Sequence, residues 1–279
     1  MIEPFPPLEN LYKKLKDKDL VAYVDETYAS PDGQSHNGFY TICAVLYESC
    51  EIKNARNDFV RIAAGNYWHS TQALQTVDGQ AKFSAMVNEL SRFRDPIVVT
   101  VKLNGNFQKE SDQLHARSEA LEKLAVTLSL AYSHRIKGLI VEKNRRQRLD
   151  NLDRTVIAKL YRLGTVPKSL QMLHCSPSSE PLLWTPDITA MAWRRAITHT
   201  DASSREFVKL GSQCHIVSID SERTIHEIPK IPTGNALLDE IYGNSSFLES
   251  LRHREMHRLV QNENLPQVII KEKENQKEL

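Results

Sequence analysis

The chain has 279 residues, 41% of them hydrophobic and 25% charged, and a formal net charge of +1. That apolar content supports a real core and excludes a disordered chain, and the length suits one large domain or one domain plus an appendage. A charge so near zero creates no global field toward nucleic acid or membrane, so electrostatic binding falls to local patches. No run of about 18 apolar residues occurs, so no membrane span is expected, and the N-terminal MIEPFPPLENLYKKLKDKD has no apolar signal core. Cys43, Cys50, Cys175 and Cys214 show no CxxC spacing, and Cys43 and Cys175 lie in apolar runs. They read as reduced thiols, which points to the cytoplasm.

In chain order, LVAYVDE at 20–26 predicts a buried strand with a charged end. A polar connection with turn chemistry at Pro31-Asp32-Gly33 and Asn37-Gly38 leads to FYTICAVLYE at 39–48, a second strand and the other arm of a hairpin. Residues 52–95 read as a helical insertion in two amphipathic pieces, around 53–64 and 80–93, separated by GNYWHSTQ. PIVVTVKL (96–103) is a third strand, 112–134 a long helix, KGLIVE (137–142) a fourth strand, 150–163 a helix, SLQMLHC (169–175) a fifth strand, and 187–199 a helix opened by Pro186-Asp187. Beyond 200 the pattern weakens: QCHIVSID (213–220) reads as an edge strand, 236–260 as a helix, and the tail is charged.

The expectation is an α/β fold, with a mixed five-stranded sheet flanked by helices over 1–200 and a C-terminal extension over 201–279. The first three strands run antiparallel. Crossover helices make the fourth and fifth parallel to the first, and the first and fourth lie side by side.

Three acids occupy telling places. Asp25 ends the apolar run Val21–Val24, Glu142 ends Leu139–Val141, and Asp187 follows Trp184-Thr185-Pro186. A carboxylate at the end of a buried strand is costly unless paired. Two strand ends and a helix start meet at the crevice of such a sheet, and a divalent metal relieves the repulsion between converging carboxylates. Taken singly, each acid has a plainer role: a strand-end Asp commonly serves a turn, and negative charge is favourable in a first helical turn.

This order, with YVDET at 23–27, GFYTICAVLYE at 38–48, GLIVE at 138–142 and EPLLWTPDITAMAW at 180–193, resembles the ribonuclease H-like superfamily. More narrowly it is similar to the branch known as domain of unknown function 3800. The resemblance covers about residues 20–200; Thr27 stands where Ser is usual and keeps the hydroxyl. It implies a metal-dependent nuclease, tied to mobile elements or defence, with Mg²⁺ or Mn²⁺ ions roughly 4 Å apart. Asp25 then bridges the ions, and Glu142 and Asp187 hold them from either side. The resemblance also implies a fourth carboxylate. Glu119 on the long helix is the positional counterpart, and Glu26 is adjacent to Asp25 but faces the other side of the strand.

His69 lies in the insertion, either over the active face, to contact a phosphate or shuttle a proton, or half-buried beside Trp68. Lys143, Arg145, Arg146 and Arg148 follow Glu142 directly. They either border the site as phosphate contacts or pair with Asp150 and Asp153. Lys102 and Lys82 are further phosphate candidates or plain surface lysines. Tyr23, Tyr28 and Tyr67 either stack bases or serve strand and core. His253 and His257 lack the Glu placement of a zinc helix. No GxGxxG, P-loop or GxSxG occurs. The substrate expected is nucleic acid, RNA or DNA, with a protein partner or a homodimer also possible. The alternatives are a non-catalytic binding or assembly module of the same fold and a nuclease subunit active only with a partner.

Overall fold

The computed structural model describes residues 4–31, 38–92, 96–103, 105–132, 134–144, 146–199, 201–211 and 213–219. Arg145, the 236–260 helix and the His253/His257 pair lie outside the described residues. A short helix with Pro at its start, α1 (Pro6–Tyr12), precedes β1 (Leu20–Ala29) and β2 (Phe39–Glu48). These two pair antiparallel in continuous register from Leu20–Glu48 to Ala29–Phe39. The insertion holds α2 (Ile52–Ala63), a single turn α3 (Ser70–Ala73) and α4 (Val77–Arg92). Then come β3 (Ile97–Leu103), α5 (Glu110–Tyr132), β4 (Ile136–Glu142), α6 (Gln147–Leu163), β5 (Gln171–Cys175) and α7 (Trp184–Thr198). Gly164, at φ 69°, ends α6 in the left-handed conformation that glycine adopts without strain.

The sheet order is β5-β4-β1-β2-β3-β6. As expected, β1, β2 and β3 are antiparallel neighbours, and β4 and β5 run parallel to β1. The count differs from the expectation: the sheet has six strands, because Cys214–Ser218 (β6) pairs parallel with β3. The physical reason lies in β3. Ile97–Val101 is buried throughout, and a bare backbone edge there would leave buried N–H and C=O groups without partners. A 3-10 helix, Ala202–Leu210, brings the chain back to cover that edge.

Period-2 alternation divides the core between the two faces of the sheet. Val21, Tyr23, Cys43, Val45 and Ile140 pack with apolar stripes of α2, α4 and α7, among them Phe59, Phe83, Met86 and Trp193. On the other face Ala22, Val24, Ile42, Ala44 and Leu139 meet Leu121, Leu124 and Leu128 of α5 and Ile157 and Leu160 of α6. Helix α7 starts three residues earlier than the sequence suggests, because Pro186 is tolerated in a first turn, where its N–H would have no partner. No helix among the described residues is long and apolar enough to cross a membrane.

Two buried polar clusters tie these layers together. On the α7 side Glu180 accepts from Arg56 Nε at 3.0 Å and Nη2 at 2.6 Å, from Tyr12 Oη at 2.6 Å and from its neighbour Leu182 N at 3.1 Å. Tyr12 Oη also bonds Tyr23 Oη at 2.7 Å. This clamp fixes the connection from β5 to α7 beneath β1.

On the α5/α6 side Arg117 is 2% exposed. It gives a bidentate pair to Asp153 at 2.9 and 2.8 Å and an ion pair to Glu26. His174 of β5 bonds Asp153 at 2.9 Å. Burial raises the Asp153 pKa, but the hydrogen bonds from His174 and Arg117 and their charges outweigh it, so the carboxyl sits below its usual range.

Removing one partner of such a pair strands the other. Asp153→Ala is expected to cost about 3–5 kcal/mol by urea denaturation at pH 7. Because the folded pKa is depressed, this stabilisation is present above the ordinary carboxylate pKa of 3.8 and is lost as pH falls through the lowered value. The gap between wild type and variant therefore narrows toward pH 3, and a gap that stays constant with pH would refute the ion-pair account.

Candidate functional site

Strand β1 outruns its parallel neighbour. The β1–β4 ladder stops at Val24–Val141, whereas the β1–β2 ladder continues to Ala29–Phe39. Residues 25–29 therefore overhang a crevice at the C-terminal ends of β1 and β4. The alternation that buries Val21 and Tyr23 toward α7 also turns Asp25 to that side. Glu142 takes the same side by following Ile140 on β4, one register step beyond the Val24–Val141 pair. Asp187, in the first turn of α7, comes down from above.

The charges of the three acids act on one another. Burial pushes the Asp25 pKa well above its usual value, and the charges of Glu142, Glu26 and Asp187 push it the same way. Glu142 is pushed up to about 7 by burial, then by Asp187 and Glu26. Asp187 is raised by burial, which hydrogen bonds from Ser70 and the charge of His69 partly offset. Carboxyls so placed titrate as a group rather than as independent sites.

The donor set is hard carboxylate oxygen, which suits Mg²⁺ or Mn²⁺, and a cation would remove the repulsion that raises these pKa values. Among the described residues no three His, Cys, Asp or Glu side chains are arranged so as to hold an ion as they stand.

The insertion reaches this site. Ser70 N donates to Asp187 Oδ2 at 2.9 Å, and the neighbouring Trp68 Nε1 donates to Ser70 Oγ at 3.0 Å. His69 is exposed at the start of α3, between the buried Trp68 and Ser70. Ser70 was not legible in the sequence, since a Ser beside a His carries no signal until tertiary packing brings it to Asp187.

The other candidates are spread around the rim. Glu26 faces the α5 side, where it meets Arg117. Glu119 pairs with Lys102 and, at 3.2 Å, with His115 on the outer surface of α5, so those two sequence candidates pair with each other. The acid that acts on Asp25 and Glu142 from that side is Glu26. Lys143, Arg146 and Arg148 are exposed in and just after the loop beyond Glu142. Arg146 pairs with Glu110 at 2.9 Å rather than with Asp150 or Asp153. Asp150 instead accepts from Asn144 N at 3.1 Å, which pins the loop two residues after Glu142. Lys82 pairs with Asp78 at 2.8 Å on α4. Tyr23 is buried in the core; Tyr67 is 67% exposed.

No family model matches the chain, and no curated protein matches it in sequence.

A carboxyl whose pKa rises on folding costs stability as pH climbs from its unfolded value, 4.5 for Glu142, through its folded value of about 7. In EDTA, Glu142→Gln is expected to melt close to wild type at pH 4.5. At pH 8 it should be more stable by about 1–3 kcal/mol, discounted for partial exposure. Thermal melts at the two pH values check this, and an equal offset at both would mean that Glu142 is not held against like charge.

Proposed function

We propose that this protein is a metal-dependent nuclease that hydrolyses phosphodiester bonds at the crevice between β1 and β4. One observation carries the reading: Asp25, Glu142 and Asp187, from three separate elements, are brought to one crevice where burial disfavours all three charges and repulsion from neighbouring acids adds to it at Asp25 and Glu142. A fold gains no stability from such an arrangement, and sites for charge-dependent chemistry are where such arrangements recur. The placement of β1 between β2 and β4, which the crossover connections already suggested, supports the reading by setting two acid-ended strands side by side.

On this reading Asp25, Glu142 and Asp187 hold Mg²⁺ or Mn²⁺. When bound, the ions lower the pKa of a coordinated water and stabilise charge on the phosphoryl oxygens. Asp25, on which the charges of both other acids act, would be the ligand central to the group. Ser70 orients the Asp187 carboxylate through its backbone N–H and hydroxyl. His69, exposed next to it, would contact the scissile phosphate or shuttle a proton. Lys143 and Arg148 bind the phosphate backbone along the rim, which supplies locally the attraction that a net charge of +1 cannot, while Arg146 is held by Glu110.

The test uses labelled single- and double-stranded RNA and DNA and a hybrid, with Mg²⁺, Mn²⁺ or EDTA. Cleavage is expected only with metal and should fall by about a thousandfold or more in Asp25→Asn, or about 4 kcal/mol of transition-state stabilisation. The melting temperature of the wild type should rise with millimolar Mg²⁺ and that of Asp25→Asn should not. If no substrate is cleaved under any metal and Mg²⁺ leaves the melt unmoved, the non-catalytic reading takes its place.

A further inference from the structure

The overhang of β1 has a second side. Alternation turns Glu26 and Tyr28 away from the carboxylates and toward α5 and the loop after β4, where they line a cavity of about 330 Å³ with Gln113, Arg117, Asn144 and Arg146. We propose that this cavity is a nucleobase subsite, in which an unpaired base of the substrate strand stacks on Tyr28. The proposal rests on the nuclease reading above and names the part of the substrate that the protein grips.

Three observations carry it. The first is the aromatic platform. Tyr28 is 39% exposed, and its ring lies parallel to that of its cross-strand partner Tyr40, with 6° between planes and 5.8 Å between centroids. Tyr40 is 3% exposed and packs edge-on against buried Phe107 at 5.9 Å. An exposed ring backed by two buried ones is preorganised, and its backbone is held by Arg194 Nη1 donating to Tyr28 O at 3.1 Å. Such a platform suits any base, because every base has a π face.

The second is the charge balance. Glu26 pairs with Arg117 and Glu110 with Arg146, so each charged group on the wall has an opposite partner. A phosphate would meet two carboxylates there, and a bare cation would meet two guanidiniums. A neutral ring with both donors and acceptors on its edge matches a wall of paired charges and the amides of Asn144 and Gln113. The volume falls within the range of about 300–1,000 Å³ typical of small-ligand sites.

The third is position. Glu26 adjoins Asp25, and Asn144 lies two residues past Glu142. A strand crossing the overhang places a phosphate on the carboxylate side of β1 and a neighbouring base on the Tyr28 side.

The test measures binding and turnover separately. In full-length Asp25→Asn protein with EDTA, short mixed-sequence single-stranded RNA and DNA carrying a fluorescent label are titrated by anisotropy. Tyr28→Ala is expected to weaken binding by about tenfold or more, the effect of losing one stacked base, and Tyr28→Phe to stay within about twofold. In the active protein Tyr28→Ala raises KM and leaves kcat within about twofold. Circular dichroism and a melt confirm that the variants fold. An oligonucleotide with abasic sites, tested against the protein with Tyr28 intact, should lose the same factor and needs no variant.

Binding by Tyr28→Ala within twofold of its parent, or a loss in Tyr28→Phe as large as that in Tyr28→Ala, overturns the subsite. Metal- and Asp25-dependent cleavage with a KM indifferent to Tyr28 removes the base pocket alone. Tyr28-dependent binding without any metal-dependent cleavage removes the nuclease reading and leaves the pocket standing.

Discussion

The proposed site and its neighbouring cavity both follow from the mismatch between two ladders on one strand. β1 is paired along its whole length with β2 but with β4 only as far as Val24. The hairpin keeps residues 25–29 extended while the β4 side lies open. Extended backbone alternates its side chains, so consecutive residues of the overhang address opposite sides of the sheet. Asp25 is delivered to α7 and the insertion, and Glu26 and Tyr28 to α5 and α6. One strand end thereby serves a carboxylate cluster and an aromatic cavity, separated by the thickness of the sheet.

Holding like charges in a crevice is destabilising, and the surrounding fold is braced accordingly. Beneath the site the Glu180 clamp joins α1, α2 and the approach to α7, fixing where Asp187 emerges. On the far side Arg117 takes up Glu26 and Asp153 together, and Asp150 secures the loop after Glu142 through Asn144 N. Glu26 is thus neutralised by a buried guanidinium, while among the described residues no comparable counter-charge acts on Asp25, Glu142 and Asp187: Asp187 receives hydrogen bonds from Ser70 and the field of an exposed His69. That asymmetry separates the acids of the proposed cation site from those that serve the architecture.

The insertion is more than a decoration between β2 and β3. Its amphipathic helices α2 and α4 cover the face that carries Asp25, and the turn between them sends Trp68 into the core. Anchoring Trp68 presents His69 outward and Ser70 to Asp187. A segment anchored in this way couples the packing of the insertion to the orientation of one candidate ligand.

The elements were largely legible in the sequence because each relies on a local pattern. The apolar runs ending in Asp25 and Glu142 and the 3.6-residue stripes of α2, α4, α5 and α6 depend on neighbours in the chain. The side taken by Glu26 was legible for the same reason, since a period of two needs no tertiary information. The strand at 213–220 was legible as an edge strand, but its place in the sheet was not: it lies beside β3 because the buried outer edge of β3 needs partners. Nor was the pairing of Glu119 with Lys102, the link from Ser70 to Asp187, or the Arg117 hub, each of which joins residues distant in the chain. The sequence by itself determined where strands end in acids. Only the tertiary structure decided which acids face one another without a counter-charge, because that depends on which buried cations and hydrogen-bond donors packing brings within reach.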